Sequence, residues 1–402
     1  MNKVIALVDP YFKGHHLTYM KLFVTCLLNK GYKVCVLIPQ NDEIDDFVRS
    51  SLPEYTNNFF SSDIDNKEFT SFLPSVINRY FSTLYRWFYI KKKLVNIENT
   101  YKIKVDFVFF AWLDSFLFKY IPHFFVNKIF PYNWSGLYFQ PNHIRLNTFK
   151  HNHKTTFFDR DYILSTKSCK SVALLDSFIC NQLGNRINKN VISFPDIINT
   201  DFDKSNGIAE SIKAKSLGRR IVGIIGLEKR KGVLEMIQLA KNTDEKKFFY
   251  VFAGEINYAE YTLEQKNLIK SYFNGNKENK FLYLGYISQD STYNSIFRTF
   301  DIAFVVYQNF LTSSNMLTKA AYFDKLVIAV NKYYIGDTVL KFKLGEVTHE
   351  NDLAEHLKAL HFLNDNYEKY LTQNETLRKA FYQQNSLQKL NESFDQIIKL
   401  NN

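Results

Sequence analysis

The sequence predicts an α/β protein of two domains, and three observations carry this. Its 402 residues suit two packed cores better than one. Short uninterrupted apolar runs recur in both halves, beginning with residues 4–8 (VIALV) and 221–225 (IVGII). Such runs suit parallel strands buried on both faces. Each of these two is followed by a glycine-bearing loop and a segment of helical apolar spacing, as a β-α-β unit requires.

In chain order, residues 4–8 lead into a loop, 9–15, containing Pro10 and Gly14. Met20, Phe23, Val24, Leu27 and Leu28 share one helical face, and Gly31 ends that helix. Residues 34–38, stopped by Pro39, complete a right-handed β-α-β unit. Residues 41–66 are polar and acidic and read as a loop with a short helix. Residues 69–97 contain no acid: Arg79, Arg86, Lys91, Lys92 and Lys93 are interleaved with Phe72, Tyr80, Phe81, Tyr85, Trp87 and Phe88. This segment reads either as a buried helix with a few exposed lysines or as an interfacial surface for anionic headgroups. A strand at 106–110 precedes a helix expected over 114–121. Strands at 136–139, 171–174 and 191–194 follow, and Pro195 closes a first domain of 1–195. Residues 196–218 are polar and aperiodic, the best linker candidate. The second domain, 219–402, has strands at 221–225, 248–253, 281–284, 302–306 and 326–330. Helices fall between them and, at the end, over 352–362 and 366–399.

The formal charge is +11, which suits an anionic partner. No zinc-finger spacing, RRM-like signature or Arg-Gly run accompanies it, so a nucleic-acid partner is not expected. A phosphate-bearing small molecule or an anionic membrane fits better. The four cysteines, Cys26, Cys35, Cys169 and Cys180, form no C-x-x-C pair and read as small core hydrophobes of a reducing compartment. Residues 1–8 run directly into a strand rather than a signal peptide, and no stretch of about 18 apolar residues occurs. The expected location is the cytoplasm, with peripheral membrane contact left open by residues 69–97.

Two features of the second domain suit a diphosphate. Gly226 is followed by Arg230 and Lys231 just before a helix over 233–240. Cations are disfavoured at a helix start unless an anion lies nearby. Thr312, Ser313, Ser314 and Asn315 precede another helix, over 317–323. They serve as ordinary N-caps, and the same free N–H groups can meet an anion. In the first domain, the adjacent His15 and His16 follow Gly14 after a strand end, where ligands of doubly wound sheets sit. Contact with the transferred sugar or its phosphate, or proton handling near neutral pH, is the functional reading, and packing at the helix start the ordinary one. By position beside Gly14, His15 is the first choice. Asp114 ends FFAWLD and reads as an N-cap or an acceptor contact. His143 and Arg145 follow another strand end and are acceptor candidates. Gly254 and Glu255 end a strand of the second domain, where Glu255 can reach a ribose or base.

Gly226, Arg230, Lys231 and Gly232 resemble the glycine–basic–KG element of nucleotide-sugar-dependent glycosyltransferases of the GT-B type. The segment TSSNMLTKAAYFDKLVIA resembles that family's donor-phosphate loop, helix and strand, and VIALVDPYFKGHHLTYMKLFVTCLLNKGYKVCVLIP its opening unit. The resemblance implies two Rossmann-like lobes facing across a cleft. In it the second lobe binds a nucleotide-diphosphate sugar and the first a glycan or lipid-linked acceptor, and the last helix often crosses back to the first lobe. Tyr286 and Ile287 fall where the family holds the base. No cofactor is implied and, with no Asp-x-Asp motif, no metal. The chain departs from the family at two points. Leu227 replaces the usual basic residue after the first glycine. The paired glutamates of retaining members, eight positions apart, fall on Leu311 and Lys319. Lys319 cannot accept from ribose hydroxyls, so a phosphate contact is its expected alternative. A non-catalytic sugar-nucleotide or glycan-binding protein is therefore the second reading. A nucleotide-sugar epimerase is a third reading, and it would need paired carboxylates or histidines converging on the cleft, which the sequence does not show.

Overall fold

A computed structural model describes residues 3–11, 15–65, 74–146, 148 and 154–401, without the side chain of His15. The chain divides into two compact units, Met1–Pro195 with Leu387–Asn402, and Asp196–Ser386.

The first unit contains strands β1 (Val4–Val8), β2 (Lys33–Ile38), β3 (Phe59–Asp63), β4 (Phe107–Phe110), β5 (Trp134–Leu137), β6 (Cys169–Leu174) and β7 (Asn190–Ser193). All pair in parallel, in the order β3-β2-β1-β4-β5-β6-β7. Its helices are α1 (His15–Asn29), α2 (Asp42–Ser51), α3 (Ser75–Tyr101), α4 (His123–Ile129), α5 (Asn142–Arg145) and α6 (Cys180–Ile187). The strand order reverses between β1 and β4. The loops leaving their carboxyl ends therefore diverge and open a crevice, the usual ligand position in such sheets.

The second unit repeats the plan. It comprises α7 (Gly207–Ser216), β8 (Arg220–Ile225), α8 (Val233–Lys241), β9 (Phe248–Ala253), α9 (Leu263–Asn274), β10 (Lys280–Tyr283), α10 (Asp290–Phe297), β11 (Ile302–Val305), α11 (Asn315–Tyr322), β12 (Leu326–Val330), α12 (Tyr333–Phe342), β13 (Gly345–Thr348), α13 (Leu353–Asp365), α14 (Tyr367–Gln373) and α15 (Glu375–Gln384). Its parallel sheet runs β10-β9-β8-β11-β12-β13, with the reversal between β8 and β11.

The last helix, α16 (Leu387–Lys399), belongs to the first unit. Its Phe394 is fully buried there, 5.3 Å from the Phe23 ring and 5.2 Å from Phe109. The division 219–402 drawn along the sequence thus differs from the structure at the C-terminus. The reason is that the apolar face of α16, with Leu390, Phe394, Ile397 and Ile398 buried, completes the core beneath β4 and β7. The span 196–218 likewise contains α7, capped by the Asn206 side chain, within the second unit.

Further elements differ from the sequence expectation, among them residues 366–399, which form the three helices α14, α15 and α16 rather than one. The helix expected over 114–121 is only a short 3-10 turn, Leu113–Phe116, and α4 begins beyond Pro122. Strands β3 and β13 go unnoticed in the sequence because FFSSD and GEVT are edge strands without an apolar run. Within the basic–aromatic segment 69–97, residues 69–73 lie outside the described residues and 75–97 belong to the 27-residue α3. Trp87, Ile90, Leu94 and Ile97 are buried, with the Trp87 ring 5.1 Å from both Phe130 and Trp134. Ile77, Phe81, Tyr85 and Phe88 form an exposed stripe on another face, with Phe88 51% exposed. All four cysteines are buried and unpaired with one another, and burial pushes the Cys26 thiol up to about 12. Among the described residues no helix is long and apolar enough to cross a membrane.

Candidate functional site

In the first unit the crevice is built from the β1 end upward. Asp9, the residue after β1, is 1% exposed. One carboxylate oxygen accepts from the Tyr11 N–H at 2.9 Å, and the other lies 2.9 Å from His16 Nδ1. Burial raises the Asp9 pKa above the usual carboxylate range, against the pull of His16 and the Tyr11 N–H. The His16 ring packs 4.8 Å from Trp112 and 5.3 Å from Tyr11. With Nδ1 held by the carboxylate, Nε2 is left for a second partner. His16, Tyr11 and Trp112 line a pocket of about 720 Å³ that continues along α3 to Arg79 and Arg86.

Of the other residues proposed for this unit, Gly14 and the side chain of His15 lie outside the described residues. Asp114 neither caps a helix nor presents a free carboxylate. It accepts from the N–H groups of Phe139 at 2.7 Å and Gln140 at 3.1 Å, and pairs with Arg160 at 3.2 Å. It ties the β4 end to the β5 end. Burial raises its pKa despite Arg160 and these two N–H groups. His143 Nε2 lies 3.1 Å from the fully buried Asp161, and Arg145 Nε 3.0 Å from Asp176. Burial acts to raise Asp161, but His143 and Arg186 hold it below the usual range. These pairs anchor the loops after β5 and β6. Neither His143 nor Arg145 is among the residues lining the pocket.

In the second unit Gly226 follows β8 with φ +83°, and a Cβ there would lie 2.2 Å from Lys231 Nζ. The positive φ is what calls for glycine here, and Lys231 Nζ passes over it to lie 3.4 Å from the Ile225 carbonyl. Residues Lys229–Lys231 make one 3-10 turn, and Gly232, at φ +86°, starts α8 so close to β11 that a Cβ would meet the Val306 carbonyl at 2.5 Å. The turn gathers charge: Glu228 pairs with Arg230 at 2.6 Å and Lys231 at 3.2 Å. Burial acts to raise the Glu228 pKa, but Lys231 and Arg230 outweigh it and hold it low. Gln308 donates its backbone N–H to the Arg230 carbonyl at 2.7 Å, joining the turns after β8 and β11. The Arg230 guanidinium lies 5.0 Å from the Phe310 ring.

Thr312 and Ser313 are half-buried in the loop that follows. Ser314 caps α11, its side chain accepting from Met316 N–H at 3.4 Å, and Asn315 is the first helical residue. Gly254 ends β9 and donates its N–H to Tyr283 at 2.8 Å, with Glu255 exposed beside it. Tyr286 is 72% exposed, and Ile287 packs on the core. Lys319 is turned inward: its Nζ bonds to Asn294 Oδ1 and to the Asn199 carbonyl, and burial lowers its pKa to about 8. Its ammonium thus meets α10 and the 196–203 segment within this unit. Among the described residues no group of three or more His, Cys, Asp or Glu side chains could hold a metal ion.

Sequence reasoning missed Asp9 and Glu228, as well as the pocket residues Tyr11, Trp112 and Arg160. A carboxylate directly at a strand end, seven positions before His16, was the available signal for the first. For the second it was an acid inside the basic KRK turn.

No protein-family model and no curated protein sequence matches the chain. Solved structures do. A glycosyltransferase from Rickettsia africae is 14% identical with a TM-score of 0.64, over 100% of this chain and 99% of that one. A sucrose-phosphate synthase from Thermosynechococcus elongatus is 13% identical with a TM-score of 0.68, over 99% and 98%. The Anabaena protein HepE, in complex with UDP and glucose, is 12% identical with a TM-score of 0.66, over 99% and 100%. At these identities the likeness is one of architecture, and with the two parallel sheets it gives the conclusion that this chain has the two-Rossmann-lobe GT-B fold.

Proposed function

We propose that the protein is a glycosyltransferase that moves a sugar from a nucleotide-diphosphate sugar to a hydroxyl of a glycan or glycolipid acceptor. The observation that carries this is the turn 226–232. It gathers Arg230 and Lys231 at the β8–β11 switch point, where a diphosphate fits both the sheet geometry and the charge. The donor sits in the second unit and the acceptor in the pocket of the first. In the reaction the acceptor oxygen bonds to the anomeric carbon, the bond from that carbon to the β-phosphate oxygen breaks, and the nucleoside diphosphate leaves. Lys231, Arg230 and the N–H groups at the start of α11 stabilise the charge that develops on it. His16, oriented by Asp9, takes the hydroxyl proton at Nε2. The role first given to His15 moves to its neighbour on this ground.

The setting we favour is assembly of a bacterial surface polysaccharide or glycolipid on the cytoplasmic side, with the exposed α3 stripe and the nearby Lys92 meeting an anionic membrane. A second reading, a non-catalytic sugar-nucleotide or glycan-binding protein, is favoured by Leu311 and the inward-turned Lys319 where the family's glutamates are expected.

A thermal-shift screen against nucleotide sugars tests both, UDP-sugars first because HepE is crystallised with UDP. Stabilisation accompanied by slow donor hydrolysis supports the enzyme, and stabilisation without any turnover supports the binding protein. No stabilisation by any nucleoside diphosphate or its sugars removes both.

A further inference from the structure

The pocket of the first unit is more cationic than a neutral sugar requires. Its described lining contributes three guanidinium groups, from Arg79, Arg86 and Arg160, against one carboxylate, Asp114. That carboxylate is engaged by Arg160 and by two backbone N–H groups. Arg86 donates to the Ser115 carbonyl at 3.1 Å, so its head is fixed at the pocket wall. Arg79 is exposed, its guanidinium 5.7 Å from the Phe118 ring, and no described carboxylate lies within ion-pair distance of it. Ser75 and Asn78, in the first turn of α3, line the same end. This helix start has no acid in its first turn and no side-chain cap, so its dipole adds to the positive field. The opposite end is aromatic, with Tyr11 and Trp112 around His16.

We infer that the acceptor taken by this pocket carries a phosphoryl group, bound at Arg79, Arg86 and the α3 start, while its sugar packs against Trp112 and Tyr11 with a hydroxyl at His16. This rests on the glycosyltransferase reading above and names the substrate class of its acceptor site. Guanidinium groups pair with phosphoryl oxygens by charge-assisted, often two-pronged, hydrogen bonds, and aromatic faces cover the apolar face of a pyranose. A soluble sugar phosphate and a lipid-linked sugar diphosphate share this chemistry.

The test is calorimetry on the full chain with three kinds of probe: hexose 1- and 6-phosphates, a farnesyl-diphospho-hexose, and the free hexoses. UDP is titrated in parallel. At least one phosphoryl probe is expected to bind tenfold or more tightly than its neutral sugar, with affinity falling as salt rises. Arg79→Gln should remove most of that difference and Arg79→Lys restore part of it, while UDP affinity stays within about twofold. Lys231→Ala should do the reverse, weakening UDP and sparing the phosphoryl probe. The arm that binds identifies the source of the phosphoryl group. If UDP binds but no phosphoryl probe exceeds its neutral sugar, or if Arg79→Gln and Arg86→Gln both leave the difference intact, the inference is overturned and the donor site stands. If neither UDP nor any other nucleoside diphosphate binds, the glycosyltransferase reading itself falls.

Discussion

His16 Nδ1 lies 2.9 Å from the buried carboxylate of Asp9, and both residues belong to the single loop and helix start that follow β1. The pair links a strand end, whose position the sheet determines, to a side chain at the pocket. A carboxylate on one ring nitrogen selects the tautomer and leaves the other to receive a proton.

His16→Ala should therefore lower turnover by about 10²–10⁴-fold with little change in donor affinity. Asp9→Asn should act in the same direction through the ring it orients, and should also alter the pH profile of turnover. Steady-state kinetics on His15→Ala, His16→Ala and Asp9→Asn decide between the neighbours. A normal His16→Ala with an inactive His15→Ala reverses the assignment.

Lys231→Ala should weaken nucleoside diphosphate binding by about 1.5–3 kcal/mol, the cost of losing a charge-assisted bond to phosphate. Glu228→Gln should strengthen it severalfold, since Glu228 now holds both cations that the diphosphate needs. Calorimetry with UDP reads both changes, and equal affinity for all three proteins would remove this turn from the donor site.

The start of α11 offers a backbone test. Ser314 has φ −135°, which proline cannot adopt, whereas Asn315 is the first helical residue and follows an extended one. Asn315→Pro should thus fold normally while deleting one N–H group. Donor affinity should fall further in Asn315→Pro than in Asn315→Ala. Equal affinities, with equal melting temperatures, would show that the cradle does not use this N–H.

A pH effect on stability is expected from His356 in α13. Its ring is buried 5.7 Å from Phe304, neither nitrogen has a hydrogen-bond partner, and burial lowers its pKa despite Asp352 and Glu355 nearby. Folding thus favours the neutral ring. The stability it contributes is fully present above its unfolded pKa of about 6.5, and is lost as pH falls through the lowered folded value. Glu235, raised by burial, contributes in the opposite sense, with stability lost as pH rises. Melting temperatures at pH 7.5 and 5 should differ less in His356→Leu than in the parent. An unchanged difference would acquit this histidine.

The interior strands and the glycine–basic turn were legible in the sequence because their signals are local. A strand buried on both faces has to be continuously apolar, as VIALV, FFYVFA and LVIAV are. A sharp turn off a strand end that needs a positive φ calls for glycine, as at Gly226. Edge strands β3 and β13, half-solvated, carry no such run. The extent of the helix after Asp114 was misread because that carboxylate is claimed by the ends of β5 and by Arg160, far along the chain.

By itself, then, the sequence determined the α/β alternation, the two-domain scale and the basic glycine turn, all products of periodicity and local backbone geometry. Only the tertiary structure decided which partner each charge meets. Nothing local in the sequence says that Lys319 meets Asn294, Asp114 meets Arg160, His143 meets Asp161 and Arg145 meets Asp176, while Arg79 stays exposed. The inward-facing groups must be paired to offset the loss of water, and the chain brings those partners in from as far as 120 residues away, the separation of Lys319 and Asn199.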